Sequence, residues 1–217
     1  MTKYDVRLNS TTNRETADEK ALDYISPNST VLEFGSAYGR MTKYLKENLG
    51  CKVFIVEIDP DGYKKTINYA DGGICGDILD FLWLTDFKDI AFDYILFMDV
   101  LEHLLEPKDV LEKSVSLLKD SGSVIISVPN IAHSSALINL INNKFEYKKL
   151  GLLDETHIRF FTYYSLMEML DACGLLPVIE DGTISMPEHT EFKNSCNDLH
   201  GNAALIEDKE YANIYQF

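Results

Sequence analysis

Three acidic residues stand at or next to the ends of apolar, β-branched segments of the sequence: Glu33, Glu57 and Asp77. A carboxylate in such a place can accept hydrogen bonds from the two hydroxyls of a ribose or from an amino group of a base, and it attracts a cation. The carboxyl ends of parallel strands meet at one edge of a sheet, where ligands bind in open α/β folds. The three carboxylates therefore predict one acidic site for a positively charged, nucleoside-like ligand, although each alone also suits a solvated acid at a strand end or turn.

The loop that follows Glu33 reads FGSAYGR, residues 34–40. Gly35 and Gly39 allow a tight turn and a close approach of backbone to ligand, and the small Ala37 keeps the path clear. A dinucleotide fingerprint GxGxxG, counted from Gly35, needs glycine at 37 and 40, where Ala37 and Arg40 stand. A carboxylate at Glu33 would also repel a pyrophosphate. The loop therefore favours a cationic ligand over a dinucleotide, and packing of strand against helix is its alternative role.

Strands alternate with helices up to about residue 130, and this order predicts the framework that holds the acidic residues. Strands are predicted at five apolar segments: Thr30–Phe34, Lys52–Glu57, Ile74–Gly76, Phe92–Met98 and Ser123–Val128. Segments with helical spacing separate them, and parallel strands need crossover helices of this kind. The pattern predicts an α/β fold with a doubly wound, mainly parallel sheet.

The pattern is less regular after residue 128. Residues 134–141 have helical spacing, and a second helix is predicted over 162–174, from an N-cap threonine to a terminating glycine. Residues 175–185 and 211–217 predict a closing pair of strands. Residues 186–208 form a long excursion between them, with no predicted structure.

Composition and charge exclude several classes of protein. The 217 residues include 35 Asp and Glu against 20 Lys and Arg, a formal net charge of −15. Nucleic acids and anionic bilayers need a basic surface, so neither is expected as a main partner. No apolar run reaches the roughly 18 residues of a membrane span, and the opening residues lack an apolar signal region. We therefore expect a cytoplasmic protein, and the four scattered cysteines, without CxxC spacing, predict no zinc site or disulfide framework.

Six segments in order resemble the motifs of a known family. They read VLEFGSAYGR (31–40), VEID (56–59), GDI (76–78), FDYILFMDVLEHL (92–104), LLKDSGSVIISVPN (117–130) and THIRFFTYYSLMEMLDACGL (156–175). Together they are similar to class I S-adenosylmethionine-dependent methyltransferases, in the branch with a DVLEHL segment that modifies small molecules, quinone precursors and cell-surface sugars. The similarity covers about residues 30–176.

The resemblance implies a Rossmann-like, seven-stranded sheet of order 3-2-1-4-5-7-6 with an antiparallel last strand, and S-adenosylmethionine as cofactor. It assigns the cofactor contacts to eight residues: Glu33, Gly35, Ala37, Gly39, Glu57, Asp77, Ile78 and Asp99. In this scheme Glu33 faces the methionine amino group, and Glu57 holds both ribose hydroxyls. Asp77 and Ile78 contact adenine, and Asp99 lies beside the methionyl moiety and the transferred methyl.

The resemblance is weakest where the acceptor would bind. The loop reads GSAYG where the family commonly has GCGxG, and Tyr38 adds bulk. The last 40 or so residues match no family pattern. We expect one methyltransferase domain over 1–217, with a cofactor-binding half at about 14–130 and acceptor-side additions at about 131–174 and 186–210.

Histidines are the candidate bases for a hydroxyl or amine acceptor. His157 lies in a stretch that the resemblance places over the acceptor pocket, and nearby Arg159 is a candidate clamp for an anion or carboxylate. His103 is the second candidate base and His133 the third. Each also suits a structural role.

A divalent metal is the alternative use of these residues. Asp99, Glu102 and His103 stand at i, i+3 and i+4, so a helix would place them on one face, where His133 or His157 could join them. Hard metals prefer oxygen ligands, and one helix face supplies few of them. We expect no metal.

The sequence as a whole predicts an S-adenosylmethionine-dependent methyltransferase, and we expect it to be O-directed, acting on a hydroxyl of a sugar or related metabolite in bacterial surface-glycan biosynthesis. The acceptor is expected to be small, with sugars and nucleotide-linked compounds as candidates. A nicotinamide-dependent short-chain oxidoreductase is one alternative, but no tyrosine of the chain has lysine four residues on. A non-catalytic module that binds S-adenosylmethionine is the other.

Overall fold

Apolar, β-branched segments form five parallel strands in the computed structural model, which describes residues 16–192 and 212–217. The strands are β1 (Thr30–Phe34), β2 (Lys52–Glu57), β3 (Gly72–Cys75), β4 (Phe92–Met98) and β5 (Leu118–Ser127). Their order in the sheet is β3-β2-β1-β4-β5, and every neighbouring pair is parallel. The predicted doubly wound, Rossmann-like fold is confirmed, and β1, β2 and β4 have the predicted bounds.

Short helices separate the strands. They are α1 (Ala17–Ala21), α2 (Arg40–Glu47), α3 (Pro60–Thr66), α4 (Leu82–Asp86), α5 (Pro107–Val115), α6 (Ser134–Ile141) and α7 (Tyr163–Ala172). Turns of 3₁₀ helix occur at Leu22–Tyr24, Ile78–Asp80, Leu101–His103 and Pro187–His189. Thr162 caps α7 as predicted, in a capping box with Ser165. Of the helices within the described residues, none has the length and apolar character needed to cross a membrane.

The contacts divide the chain into two compact units. The described part of the first comprises residues 16–101 and 106–127, and that of the second comprises 102–105, 128–192 and 212–217. The expected single methyltransferase domain over 1–217 stays a prediction.

The core of the first unit lies around β1, β2 and β4, whose central side chains are buried on both faces, as a parallel sheet covered by helices requires. Phe34 stacks on Phe97, with ring centroids 4.7 Å apart, and meets the edge of Trp83 at 5.0 Å. Trp83 belongs to α4, which the sequence did not predict. Its indole N–H donates to the carbonyl of Ile78 at 2.8 Å. The end of β1 is thus packed firmly against the segment that follows β3.

Among the described residues the main sheet has five strands, where the resemblance implied seven. The last two strands, β6 (Thr183–Ile184) and β7 (Ile214–Gln216), form a separate antiparallel pair. They fall within the two segments predicted to close the sheet but are only two and three residues long. Residues 128–130 meet the last residues of the chain in an isolated bridge of Pro129 and Gln216, with backbone hydrogen bonds between Val128 and Phe217 and from Asn130 to Tyr215. Of the predicted excursion over 186–208, residues 193–208 lie outside the described part.

Candidate functional site

Glu57 ties the end of β2 to the glycine loop. One carboxylate oxygen, Oε2, accepts a 2.5 Å hydrogen bond from the backbone N–H of Ala37, and Oε1 accepts one of 2.9 Å from Asp59. Burial raises the pKa of Glu57, and these N–H donors oppose the rise. Each carboxylate oxygen has a second lone pair, so both remain able to accept from a diol.

The loop makes the tight turn that its glycines predicted, with left-handed backbone at three residues. The φ angles of Gly35, Ala37 and Gly39 are 68°, 48° and 77°. A Cβ on Gly35 would lie 2.7 Å from Cγ2 of Val100, and one on Gly39 would lie 2.8 Å from the hydroxyl of Thr66. Close packing therefore needs both glycines, independently of any ligand. The alternative role, packing of strand against helix, is present alongside the predicted one.

Two residues of helix α3 that the sequence analysis missed contact the loop. The hydroxyl of Thr66 donates a 3.0 Å hydrogen bond to the carbonyl oxygen of Ala37. Gly62 lies against the same oxygen, since a Cβ there would be 2.6 Å away. A glycine inside a helical pattern is a recognisable signal of such close packing.

Glu33 is buried in β1, where the register places it between Ile55 and Leu96. Its Oε2 accepts a 2.5 Å hydrogen bond from the hydroxyl of Thr42. The pKa of Glu33 is raised to about 8, first by burial and also by the charge of Glu57, while the Thr42 hydrogen bond lowers it. The sequence analysis missed Thr42, although a threonine on the apolar side of α2, next to Met41, was a usable signal.

Asp77 caps the turn that follows β3. Its side chain accepts a 2.8 Å hydrogen bond from the N–H of Leu79, and the next residue, Ile78, is buried. Since Glu57 pairs with Cys75 in the parallel register, Asp77 follows at the same edge of the sheet as Glu57. The carboxylates that follow neighbouring strands thus share one edge, as predicted from their spacing.

Asp99 follows β4 in left-handed backbone, with φ of 54°. Its N–H donates to the carbonyl oxygen of Ser127 at 3.1 Å, and the Ser127 hydroxyl donates to its Oδ1 at 3.0 Å. Arg40 forms an ion pair with Asp18, and the negative charge of Asp99 also interacts with it. Burial lowers the pKa of Arg40, and Asp99 opposes this. The left-handed turn rules out the expected helical face of Asp99, Glu102 and His103.

In the second unit, Glu102, His103 and His157 come together, and one potential ligand atom of each lies within 4.8 Å of the others. His157 Nε2 is 3.9 Å from Oε1 of the buried Glu102. The two imidazoles meet edge to face, with centroids 4.8 Å apart. Within the described residues this group of possible metal ligands contains neither Asp99 nor His133.

Backbone carbonyl groups set the tautomer that each of the two rings has when it is neutral. Nδ1 of His103 lies 3.1 Å from the carbonyl oxygen of Thr156, and Nδ1 of His157 lies 3.2 Å from that of Leu152. A carbonyl only accepts, so each neutral ring carries its proton on Nδ1 and presents the lone pair of Nε2. The Nε2 atom of His157 is therefore the one that faces Glu102.

Arg159 and His133 both donate hydrogen bonds to backbone carbonyl oxygens. The Nε and Nη2 atoms of Arg159 both donate to the carbonyl oxygen of Leu105, at 3.1 and 2.5 Å. His133 is fully buried: its Nδ1 accepts from the N–H of Ser135 at 3.2 Å, and its Nε2 donates to the carbonyl of Ser185 at 2.8 Å. With both nitrogens engaged, His133 caps α6 and does not suit the role of a base.

Known proteins are similar to this chain. Residues 10–178 match the family model described as a methyltransferase domain. A ubiquinone biosynthesis O-methyltransferase of Aeromonas salmonicida is 29% identical over 102 residues, 47% of this chain and 43% of that protein. A glycine/sarcosine/dimethylglycine N-methyltransferase of Actinopolyspora halophila is 27% identical over 120 residues, 51% of this chain and 20% of that protein. The chain thus spans less than half the length of these curated relatives.

A solved structure supports the fold. The SAM-dependent methyltransferase from Archaeoglobus fulgidus resembles this chain with a TM-score of 0.57 at 18% identity, over 91% of this chain and 87% of that one. At such an identity the likeness extends to the fold alone.

Proposed function

Since this chain belongs to the class I S-adenosylmethionine-dependent methyltransferases, we propose that it transfers the methyl group to a hydroxyl of a small molecule. The observation that carries this proposal is the position of Glu57, which ends β2 and binds the backbone of the left-handed loop through Ala37. A carboxylate fixed in this way is preorganised to accept both hydroxyls of a ribose. The sugar or related metabolite expected as acceptor remains part of the proposal.

The residues of the first unit fit the cofactor. Gly35 and Gly39 present backbone without a Cβ, and the carboxyl groups of Glu33 and Glu57 lie at the end of β1 and β2. An acidic surround suits a cationic sulfonium and opposes the pyrophosphate of a nicotinamide dinucleotide. S-adenosylmethionine supplies an activated methyl group, and the protein must align it, exclude water and take up a proton.

For the proton step we propose residues of the second unit. His157 presents the lone pair of Nε2, and Glu102 lies 3.9 Å away, where its negative charge would stabilise the imidazolium that forms when the ring accepts a proton. His103 lies against His157 and is the second base that we propose. Arg159, held by Leu105, keeps further N–H donors that suit an anionic group on the acceptor.

O-methylation is the finer part of the proposal. The name of one relative specifies an O-methyltransferase and the name of another an N-methyltransferase. An imidazole that can take up a proton favours the hydroxyl, because an alcohol must lose its proton during transfer whereas an amine attacks through its lone pair and can lose the proton later.

Two assays test the proposal. In a thermal-shift comparison, S-adenosylmethionine and S-adenosylhomocysteine should raise the melting temperature, and NADH should not. A micromolar site at hundredfold excess of ligand stabilises by about 2.7 kcal/mol. Transfer of radiolabelled methyl from S-adenosylmethionine to a panel of sugars, nucleotide sugars, phenols and amines should label a hydroxyl compound. Stabilisation by NADH alone would refute the cofactor, binding without transfer to any compound would favour the non-catalytic module, and transfer only to amines would refute O-methylation.

A further inference from the structure

Glu33 lies in surroundings that do not favour a negative charge. The side chain is 5% exposed, and its neighbours across β2 and β4 are the apolar Ile55 and Leu96. Among the described residues, no lysine, arginine or histidine forms a salt bridge with it. The group that touches it from α2 is the hydroxyl of Thr42, which does not titrate in the physiological range.

Glu57 is the charged neighbour that acts on Glu33, and the two carboxyl groups are not equivalent. Glu57 accepts hydrogen bonds from the N–H groups of Ala37 and Asp59, and such donors stabilise the anion. Glu33 has the hydroxyl of Thr42, which can donate to a carboxylate or accept from a carboxylic acid. When two carboxyl groups interact and only one is held by N–H donors, the proton resides mainly on the other.

The other charged groups at this end of the sheet act elsewhere. Asp59 precedes α3, and its charge acts on Glu57. Arg40 at the start of α2 is paired with Asp18 and feels the charge of Asp99. Arg40, the one cation among these four residues, is not among the influences that set the ionisation of Glu33, which are burial, Thr42 and Glu57.

We infer that Glu33 carries a proton in the cofactor-free protein and releases it to solvent when S-adenosylmethionine binds. This inference rests on the proposed function and on the resemblance, which implies that the positively charged methionine amino group of the cofactor faces Glu33. A buried carboxylic acid offers a cation only a neutral acceptor, whereas a carboxylate forms an ion pair that offsets its desolvation. The O–H bond of Glu33 therefore breaks, the proton goes to water or buffer, and the carboxylate stays with the cation.

The consequence is a cofactor affinity that depends on pH. The pKa of Glu33 is raised to about 8 in the free protein. Below that pH, binding must expel the proton, so affinity falls by up to about tenfold for each pH unit. Above it Glu33 is already ionised and the dependence ends. At pH 7 the expected release is about 0.9 proton per cofactor bound, and at pH 8 about half a proton.

Isothermal titration calorimetry measures this release directly. The full chain is titrated with S-adenosylmethionine at pH 7 and pH 8 in phosphate and in Tris, whose ionisation enthalpies differ, and the difference in heat gives the number of protons. The matched control is Glu33→Gln, which has the shape of the protonated acid and no proton to lose. At pH 7 the α-amino group of the ligand, with a pKa of about 7.7–8.0, is already mostly protonated before it binds, so its own titration adds little to the difference. We expect the wild type to release close to one proton more than the control at pH 7.

A second variant keeps the test decisive if Glu33→Gln binds too weakly to measure. Thr42→Val removes the hydroxyl that lowers the pKa of Glu33, so release at pH 8 should rise from about half a proton toward one. Equal proton counts for wild type and Glu33→Gln, or for wild type and Thr42→Val at every pH between 7 and 9, would overturn the inference while cofactor binding itself stands. Failure of the wild type to bind S-adenosylmethionine would instead refute the proposed function.

Discussion

Gly62 on α3 lies directly against the carbonyl oxygen of Ala37, so close that a Cβ on Gly62 would be 2.6 Å from that oxygen. The contact joins a helix that carries none of the proposed cofactor ligands to the loop that carries three of them. Thr66, one turn further along α3, fixes the same carbonyl through its hydroxyl. The conformation of the loop is therefore set from two sides, by Glu57 at the N–H of Ala37 and by α3 at its carbonyl.

Gly62→Ala should consequently weaken cofactor binding without touching the cofactor. Helix propensity alone predicts stabilisation of about 1 kcal/mol for glycine to alanine. The backbone contact predicts the opposite sign, because the added methyl must displace Ala37. We expect a lower melting temperature and a smaller shift with S-adenosylmethionine, both measured by thermal denaturation. A more stable variant with an unchanged cofactor shift would show that the contact has no consequence.

Glu57→Gln should remove most of the cofactor affinity. The amide keeps one acceptor oxygen but places an NH₂ group against the N–H of Ala37 or Asp59, and it no longer offers a charged acceptor to a ribose. Hydrogen bonds to charged groups contribute about 1.5–3 kcal/mol, so the dissociation constant should rise by roughly tenfold to a hundredfold. Glu47→Gln, at an exposed acid of α2, is the matched control and should bind as the wild type does. Equal affinities of the two variants would exclude the ribose role.

His157→Gln should slow methyl transfer and leave cofactor binding intact. General-base catalysis contributes about 10² to 10⁴ in rate, so kcat should fall by that order while the cofactor-induced thermal shift persists. His189→Gln, at an exposed histidine, serves as control.

Assays repeated after dialysis against a chelator separate proton transfer from metal binding at Glu102, His103 and His157. The proposed role predicts that the wild type retains its rate, and loss of activity restored by one added metal would contradict it.

His133 should make stability fall in mild acid. Burial lowers the pKa of His133, against the carbonyl of Ser185 and the charge of Glu191, which raise it. The folded protein thus keeps the ring neutral, while the unfolded chain takes up a proton below about pH 6.5. Because the unfolded state binds more protons, this contribution is complete above pH 6.5 and is lost as the pH falls below it.

Urea unfolding at pH 5.5 and 7.5 checks this expectation. His133→Asn retains a side-chain acceptor for the cap of α6 but does not titrate. It should be less stable than the wild type at pH 7.5, and the difference in unfolding free energy between the two proteins should narrow at pH 5.5. His189→Asn should keep the wild-type pH dependence. If His133→Asn loses as much stability in acid as the wild type, the neutral ring of His133 is not responsible.

The strands at the centre of the sheet were predictable because their signal is local. β1, β2 and β4 are apolar, β-branched runs, and a parallel sheet covered on both faces needs such runs. The missed helix, α4, is five residues long, too short to show a period, although its Trp83 is fully buried. The predicted start of β5, Ser123, was too late. Residues 118–122 belong to the strand but are mostly polar, so they gave no strand signal.

The candidate site, too, could be predicted only in part. Glu33, Glu57 and Asp77 could be found from their places at strand ends, but the partners that set their ionisation or fix their loops come from distant parts of the chain. Thr42 becomes meaningful only when α2 packs on β1. The pair of Glu102 and His157 is separated by 55 residues, so helical spacing could not reveal it.

A crystal structure of the chain with S-adenosylmethionine bound would examine the acidic edge of the sheet most directly. We predict that both ribose hydroxyls lie within hydrogen-bond distance of the carboxylate of Glu57, with the adenine at Asp77 and Ile78 and the methionine amino group on the side of Glu33. A nucleoside bound elsewhere, or in place but without contact to Glu57, would contradict the proposed site.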